Sequence, residues 1–181
     1  GDPLAVFDVI GFTLQDELSY SNILYMLDLA GIPLSAAQRT EGDPLIIAGG
    51  PCAYNPEPLA DFLDAVVLGE GEEVIVEISE SLRKLKQAGG ASRHEKLAAL
   101  AQIPGVYIPA FYEVEYAPNQ TLSSVKPTRP GIAERITKRI IQNYEVAPFP
   151  VCPPVPFIDI VQDRVALEIQ RGCTRGCRFC Q

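Results

Sequence analysis

Cys173, Cys177 and Cys180 fall within eight positions as C-x3-C-x2-C. Thiolates this close can reach one small inorganic centre, and thiolate sulfur suits iron–sulfur clusters or zinc and little else. Gly172 and Gly176 predict a loop that wraps such a centre, because glycine permits turns other residues resist. Three ligands are one short of the four used by zinc scaffolds and simple electron-transfer clusters. On a four-iron cluster, three thiolates leave one iron open to a small molecule. Two other readings compete. The cysteines could share one face of a helix as buried structural residues, or Cys152 or His94 could complete a zinc site. Two glycines beside Arg171, Arg175 and Arg178 suit a buried helix poorly, and the cluster is favoured.

The elements that must position this loop can be read upstream. Val165, Leu167 and Ile169 alternate with other residues, which predicts a strand over 164–169. The cysteines would then follow its carboxyl end, where α/β sheets place their chemistry. Five prolines occur in residues 147–156, the mark of a stiff extended connector, taken as 147–163. Before it, apolar β-branched runs predict parallel strands near 6–13, 45–48 and 64–68. Helices are expected at 16–30, 72–88 and 93–102, with a short one near 56–62. Ser92 and Glu95 have the spacing of a capping box. From Val106 the texture turns aromatic and β-branched, with Pro118 and Asn119 as turn residues, which predicts an antiparallel hairpin over 106–126. Residues 131–144 have Ile136, Ile140 and Ile141 at helical spacing, but a strand fits as well. A repeated Gly-Asp-Pro-Leu at 1–4 and 42–45 hints at a βα repeat.

This alternation of strands and helices gives an α/β chain, a doubly wound parallel sheet of Rossmann-like form over residues 1–104. The hairpin and a connecting segment follow at 105–146, the linker at 147–163, and the cysteine-bearing segment at 164–181. Gly49, Gly50 and Pro51 end the second strand. Gly69 and Gly71, interleaved with Glu70 and Glu72, end the third. Glycine there lets backbone approach a ligand, and the helix that follows offers unpaired N–H groups. The acids at 70 and 72 also suit a helix start on electrostatic grounds alone.

The chain has 181 residues and a net charge of −8. That total hides an asymmetry, since residues 1–82 carry 7 Asp and 8 Glu against Arg39 alone, −14, whereas residues 83–181 amount to +6. An acidic first half argues against nucleic-acid binding there. The odd count of five cysteines argues against a secreted disulfide framework. No apolar run reaches membrane-spanning length and no signal-peptide pattern opens the chain, so a reducing cytoplasmic setting is expected.

The cysteine motif, with Phe179 before its last member, resembles the signature of the radical S-adenosylmethionine superfamily. The resemblance implies that Cys173, Cys177 and Cys180 hold a 4Fe–4S cluster whose open iron chelates S-adenosylmethionine. One electron, from a flavodoxin or ferredoxin, would cleave the sulfonium and release a 5′-deoxyadenosyl radical. The order of strand, Gly-Gly-Pro turn, strand, Gly-Glu-Gly-Glu turn, proline-rich connector and Arg-Gly-Cys further resembles the members with an amino-terminal cobalamin-binding-type domain. Asp8-Val-Ile-Gly-Phe-Thr-Leu-Gln15, Ile47-Ala-Gly-Gly-Pro-Cys-Ala53 and Gln170-Arg-Gly-Cys173 look like one bacterial branch of that group. This implies a cobalamin tail at the turns containing Gly49, Gly50, Pro51, Gly69 and Gly71, with methyl transfer as the reaction if cobalamin binds. The Asp-x-His-x-x-Gly motif that ligates cobalt is absent, and His94, the sole histidine, sits inside the capping box. Cys52 is expected to be packed rather than catalytic. The superfamily's barrel needs about 200 residues, of which only a first strand is expected here. The chain is therefore expected to be part of a longer enzyme and inactive alone. The contrasting expectation is a non-catalytic interaction domain whose cysteines bind zinc.

Overall fold

The computed structural model describes residues 1–147, 168–169 and 171–178. They fall into two compact units, Gly1–Gln142 and Asn143–Gln181. The first is built on a sheet of β1 (Val9–Thr13), β2 (Leu45–Gly49), β3 (Ala65–Val67) and β4 (Val106–Tyr107), in that spatial order. β1 pairs parallel with β2 from Val9 opposite Leu45 to Thr13 opposite Gly49. β2 pairs parallel with β3, as the apolar runs predicted. β4 pairs antiparallel with β3, so the sheet is mixed where only parallel strands were expected. Val106 and Tyr107, assigned from sequence to the hairpin, complete this sheet instead.

β2 shows why the sheet forms. Leu45 to Ala48 are all buried, and alternate side chains enter opposite cores, as expected of a strand covered on both faces. Ile46 and Ala48 join Ile10, Val66 and, from α1 (Tyr20–Leu29), Ile23 and Leu27. Leu45 and Ile47 join Ala65, Val67, Val74 and Ile78 from α2 (Gly71–Gln87), and Leu97 and Leu100 from α3 (Arg93–Leu100). Fully burying each such Leu, Ile or Val side chain contributes about 1.5–3 kcal/mol.

Local chemistry sets the helix ends. α1 stops at Gly31 (φ +68°), whose N–H donates to the Asp28 carbonyl while that of Ile32 donates to Leu27. This Schellman turn also buries Ile32. α2 carries Glu72 and Glu73 in its first turn and Lys84 and Lys86 in its last, which complements the helix dipole at both ends. In α3 the Ser92 hydroxyl accepts from the Glu95 N–H, and the Glu95 carboxylate accepts from the Ser92 N–H at 2.8 Å. The capping box is formed as its spacing predicted. Between β2 and β3 the chain makes only 3-10 turns, Pro51–Tyr54 and Glu57–Leu59. The repeated Gly-Asp-Pro-Leu has no structural counterpart: Pro44 directly precedes β2, whereas Pro3 begins a separate 3-10 turn ahead of β1.

Asp64, immediately before β3, is buried with two cations. Its Oδ2 accepts from Arg39 Nη1 at 2.9 Å, Arg93 Nη2 at 2.7 Å and the Ile46 N–H at 2.7 Å. Arg39 also donates to the carbonyls of Pro33, Leu34 and Phe62, and Arg93 to those of Thr40, Asp43 and Pro44. The loop between α1 and β2 is thereby fastened to the sheet and to the start of α3. Arg93 Nε is buried without a partner.

A separate antiparallel hairpin, β5 (Tyr112–Tyr116) and β6 (Leu122–Pro127), follows β4, with a bulge at Glu115 and Tyr116. Residues 148–163 of the predicted 147–163 linker, Cys152 among them, residues 164–167 of the predicted barrel strand, Phe179 and Cys180 lie outside the described residues. No helix among the described residues is long and apolar enough to cross a membrane.

Candidate functional site

In the second unit, Cys173 and Cys177 are both exposed. Gly172 (φ +83°), just before Cys173, and Gly176 (φ +64°), just before Cys177, both adopt left-handed conformations. The glycines are thus required, since side chains rarely accept that backbone. The Arg175 N–H donates to Cys173 Sγ at 3.4 Å, the kind of contact that tunes thiolate ligands of clusters. Just upstream, Arg171 grips Glu168 through Nε and Nη2, both at 2.8 Å. The Arg171 guanidinium lies over the Tyr144 ring, 5.0 Å from its centroid. Hydrogen bonding from Arg171 pushes the Glu168 carboxyl down to about 2, with Tyr144 acting in the same direction.

Exposed soft donors on a left-handed glycine loop fit an iron–sulfur centre. Cys180, the third member of the motif, lies outside the described residues. Among the described residues no three His, Cys, Asp or Glu groups gather as a metal site. His94 is exposed on the first turn of α3, its ring 5.6 Å from that of Phe111.

The predicted glycine turns stand at the carboxyl ends of β2 and β3, each satisfied by the chain itself. Gly49 closes β2, and Gly50 (φ +103°) precedes the 3-10 turn begun by Pro51. A Cβ on Gly50 would sit 3.1 Å from the backbone N and O of Leu14. Leu14 fastens this turn, donating to the Gly49 carbonyl and accepting from the Cys52 N–H. Cys52 is packed in the core, and burial raises its thiol pKa.

At the second turn, Gly69 (φ +101°) forms a parallel bridge with Arg139. A Cβ on Gly69 would fall 2.2 Å from the Arg139 carbonyl oxygen, which is why glycine is needed. The Arg139 N–H donates to the Leu68 carbonyl, and the Glu70 N–H to that of Arg139. The Glu70 carboxylate accepts from the Ile141 N–H. Arg139 forks onto Glu77 at 2.6 and 3.0 Å and reaches Glu73 at 3.2 Å. These carboxylates, Glu77 foremost, raise its pKa. Gly71 begins α2 with nothing within 4 Å of its missing Cβ.

The segment 131–142 is neither of the forms its isoleucines suggested. It is a strap in which Ile132 packs on the α2–α3 core and Ile136 on the α1 core. Its Lys138 lies 5.9 Å from the Tyr54 ring centroid. Sequence reasoning missed both this strap and the Asp64 network. For the network a signal existed: Arg39 is the lone basic residue of positions 1–82.

No solved structure matches the chain. An uncharacterized protein of Methanocaldococcus jannaschii is 26% identical over 181 residues, which is 99% of this chain but 31% of that protein. The chain thus spans about a third of its relative. The family described as radical SAM proteins, N-terminal, matches residues 1–109, from β1 through β4. The chain belongs to that family of radical S-adenosylmethionine proteins, and its cysteine loop lies beyond the matched region.

Proposed function

We propose that the chain supplies the amino-terminal region and the cluster-binding loop of an iron–sulfur enzyme that reductively cleaves S-adenosylmethionine for radical chemistry. The observation that carries this is the joint presence of the matched region and an exposed C-x3-C loop shaped by two left-handed glycines. Cys173, Cys177 and Cys180 would be the ligands of a 4Fe–4S cluster. Once bound, that cluster supplies an electron to S-adenosylmethionine at its open iron. The chain's own contribution is to hold the sulfurs in register. Gly172 and Gly176 turn the loop, the Arg175 amide donates to Cys173, and the Glu168–Arg171 pair fixes the residues before it. A low-potential partner such as a flavodoxin or ferredoxin would reduce the cluster. The parallel pairing of β1, β2 and β3 between two helical layers supports a Rossmann-like reading of the first unit.

Anaerobic reconstitution of the full-length parent with iron and sulfide, followed by absorbance and EPR, tests the reading. A 4Fe–4S signal and reductive cleavage of S-adenosylmethionine are expected, both lost in Cys177→Ala. Stoichiometric zinc with no cluster would instead identify a zinc-binding interaction module.

A further inference from the structure

Ligands of open α/β sheets bind in a crevice outside the carboxyl ends of the strands, and in this sheet the turns after β2 and β3 lie at those ends. Here the turns on both sides are in contact with residues of one strap. Gly69 meets the backbone of Arg139 so closely that not even a methyl group fits between them. The Leu68 carbonyl and the Glu70 N–H, two groups a ligand at this turn would seek, are both spent on Arg139. Glu70 and Glu77, at and after the start of α2, are engaged by Ile141 and Arg139. Across the crevice, Lys138 lies against Tyr54 of the turn after β2, and Ile136 seals the core beneath.

We propose that the strap 131–142 is the permanent occupant of this crevice, and that the first unit works as a scaffold that does not bind a dissociable cobalamin. The donor pattern agrees. An anionic or neutral nucleotide-type tail would find Glu73 and Glu77 already matched by Arg139 and the Glu70 carboxylate already taken by the Ile141 N–H. The glycine at 69 therefore serves a protein–protein approach within the chain, the same backbone demand that a cofactor would make.

Hydrogen exchange by mass spectrometry on the full-length protein reads the strap directly. Peptides covering 137–142 are expected to exchange about 100-fold or more slowly than unstructured chain. In Gly69→Ala that protection is expected to vanish while the β1–β2 amides keep theirs. Arg139→Ala, which removes the ion pairs but leaves the backbone bridge, guards against global unfolding of the first variant and is expected to lose only part of the protection. Hydroxocobalamin titrated into the same wild-type protein is expected to give no saturable spectral change. Stoichiometric hydroxocobalamin binding, or wild-type 137–142 peptides exchanging at the unstructured rate, would overturn the proposal. Neither result depends on cluster formation, so the radical-enzyme reading stands or falls separately.

Discussion

Glu168 and Arg171 are joined by two hydrogen bonds of 2.8 Å each, a fork placed two residues before Cys173. Outer groups that orient ligand-bearing segments typically contribute 10- to 100-fold in metal affinity. In the full-length protein, Arg171→Ala is expected to weaken retention of the cluster by roughly 10-fold or more against a chelator. Arg171→Lys keeps the charge but loses the fork and should fall between. The EPR line shape of the residual cluster is the second readout, since a purely structural defect lowers the amount of cluster without altering its signal. Wild-type retention in both variants would remove Arg171 from any positioning role.

Breaking the buried network should be costly. Asp64→Ala leaves the Arg39 and Arg93 guanidinium groups facing one another without their shared carboxylate. Loss of one partner from such a site costs about 3–5 kcal/mol. Urea denaturation is expected to show a midpoint shift of that size. The Arg39→Met, Asp64→Leu, Arg93→Met triple variant should recover only part of it, because it removes the buried charges but leaves the Ile46 N–H and the carbonyls bonded by Arg39 and Arg93 without partners.

The two glycine turns separate by substitution. Gly50→Ala forces a side chain into a left-handed conformation 3.1 Å from Leu14, and should lose roughly 1–3 kcal/mol of stability. Gly71→Ala has open space at the head of α2 and should be neutral or stabilise by up to about 1 kcal/mol. Thermal melts of the two variants side by side decide this. A loss at Gly71 as large as at Gly50 would mean that both glycines are there for a close approach.

Thiol chemistry provides a quick test of the cysteine assignments. In the cluster-free protein Cys173 and Cys177 should react quickly with a thiol reagent, while Cys52, buried and with a raised pKa, should be protected until unfolding. Mass spectrometry of peptides labelled under native conditions shows which residue reacted.

The capping box gives a pH dependence of known sign. Hydrogen bonds from Ser92 lower the Glu95 pKa below its ordinary 4.5. A carboxyl with a depressed folded-state pKa contributes stability above its unfolded pKa, and that contribution is lost as pH falls through the folded one. The stability gap between wild type and Glu95→Gln should therefore be widest near neutrality and shrink below about pH 4. A gap independent of pH would show that the carboxylate charge is irrelevant to the cap.

The parallel strands were legible because β2 is covered on both faces, so Leu45 to Ala48 could be apolar without interruption. α2 and α3 were legible from their stripes and the Ser92–Glu95 spacing. β4 was not, because Val106 and Tyr107 continue the β-branched texture of the hairpin, and two residues carry no periodicity of their own. The strap escaped for a related reason. It follows the ends of strands instead of lying along a face, so Ile132 and Ile136 enter different cores and no period of 2 or 3.6 records it. Glycine at 69 was read as a place where a ligand approaches the backbone, whereas the group that approaches it is the backbone of Arg139. The cysteine spacing is read from the sequence alone, and Cys180 lies outside the described residues.

The oxygen that Arg39 and Arg93 share on Asp64 also constrains how this fold can diverge. Any one of the three exchanged alone strands a buried charge, and the nearest alternative is an apolar set of similar volume together with a rebuilt loop whose carbonyls find other donors. The intermediates between those two solutions are worse than either, which closes the route of stepwise drift. Descendants are therefore expected to keep Arg, Asp and Arg at these positions as a set or to have exchanged the set together. The loop they fasten, anchored through carbonyls that every residue type carries, remains free to vary in side chain.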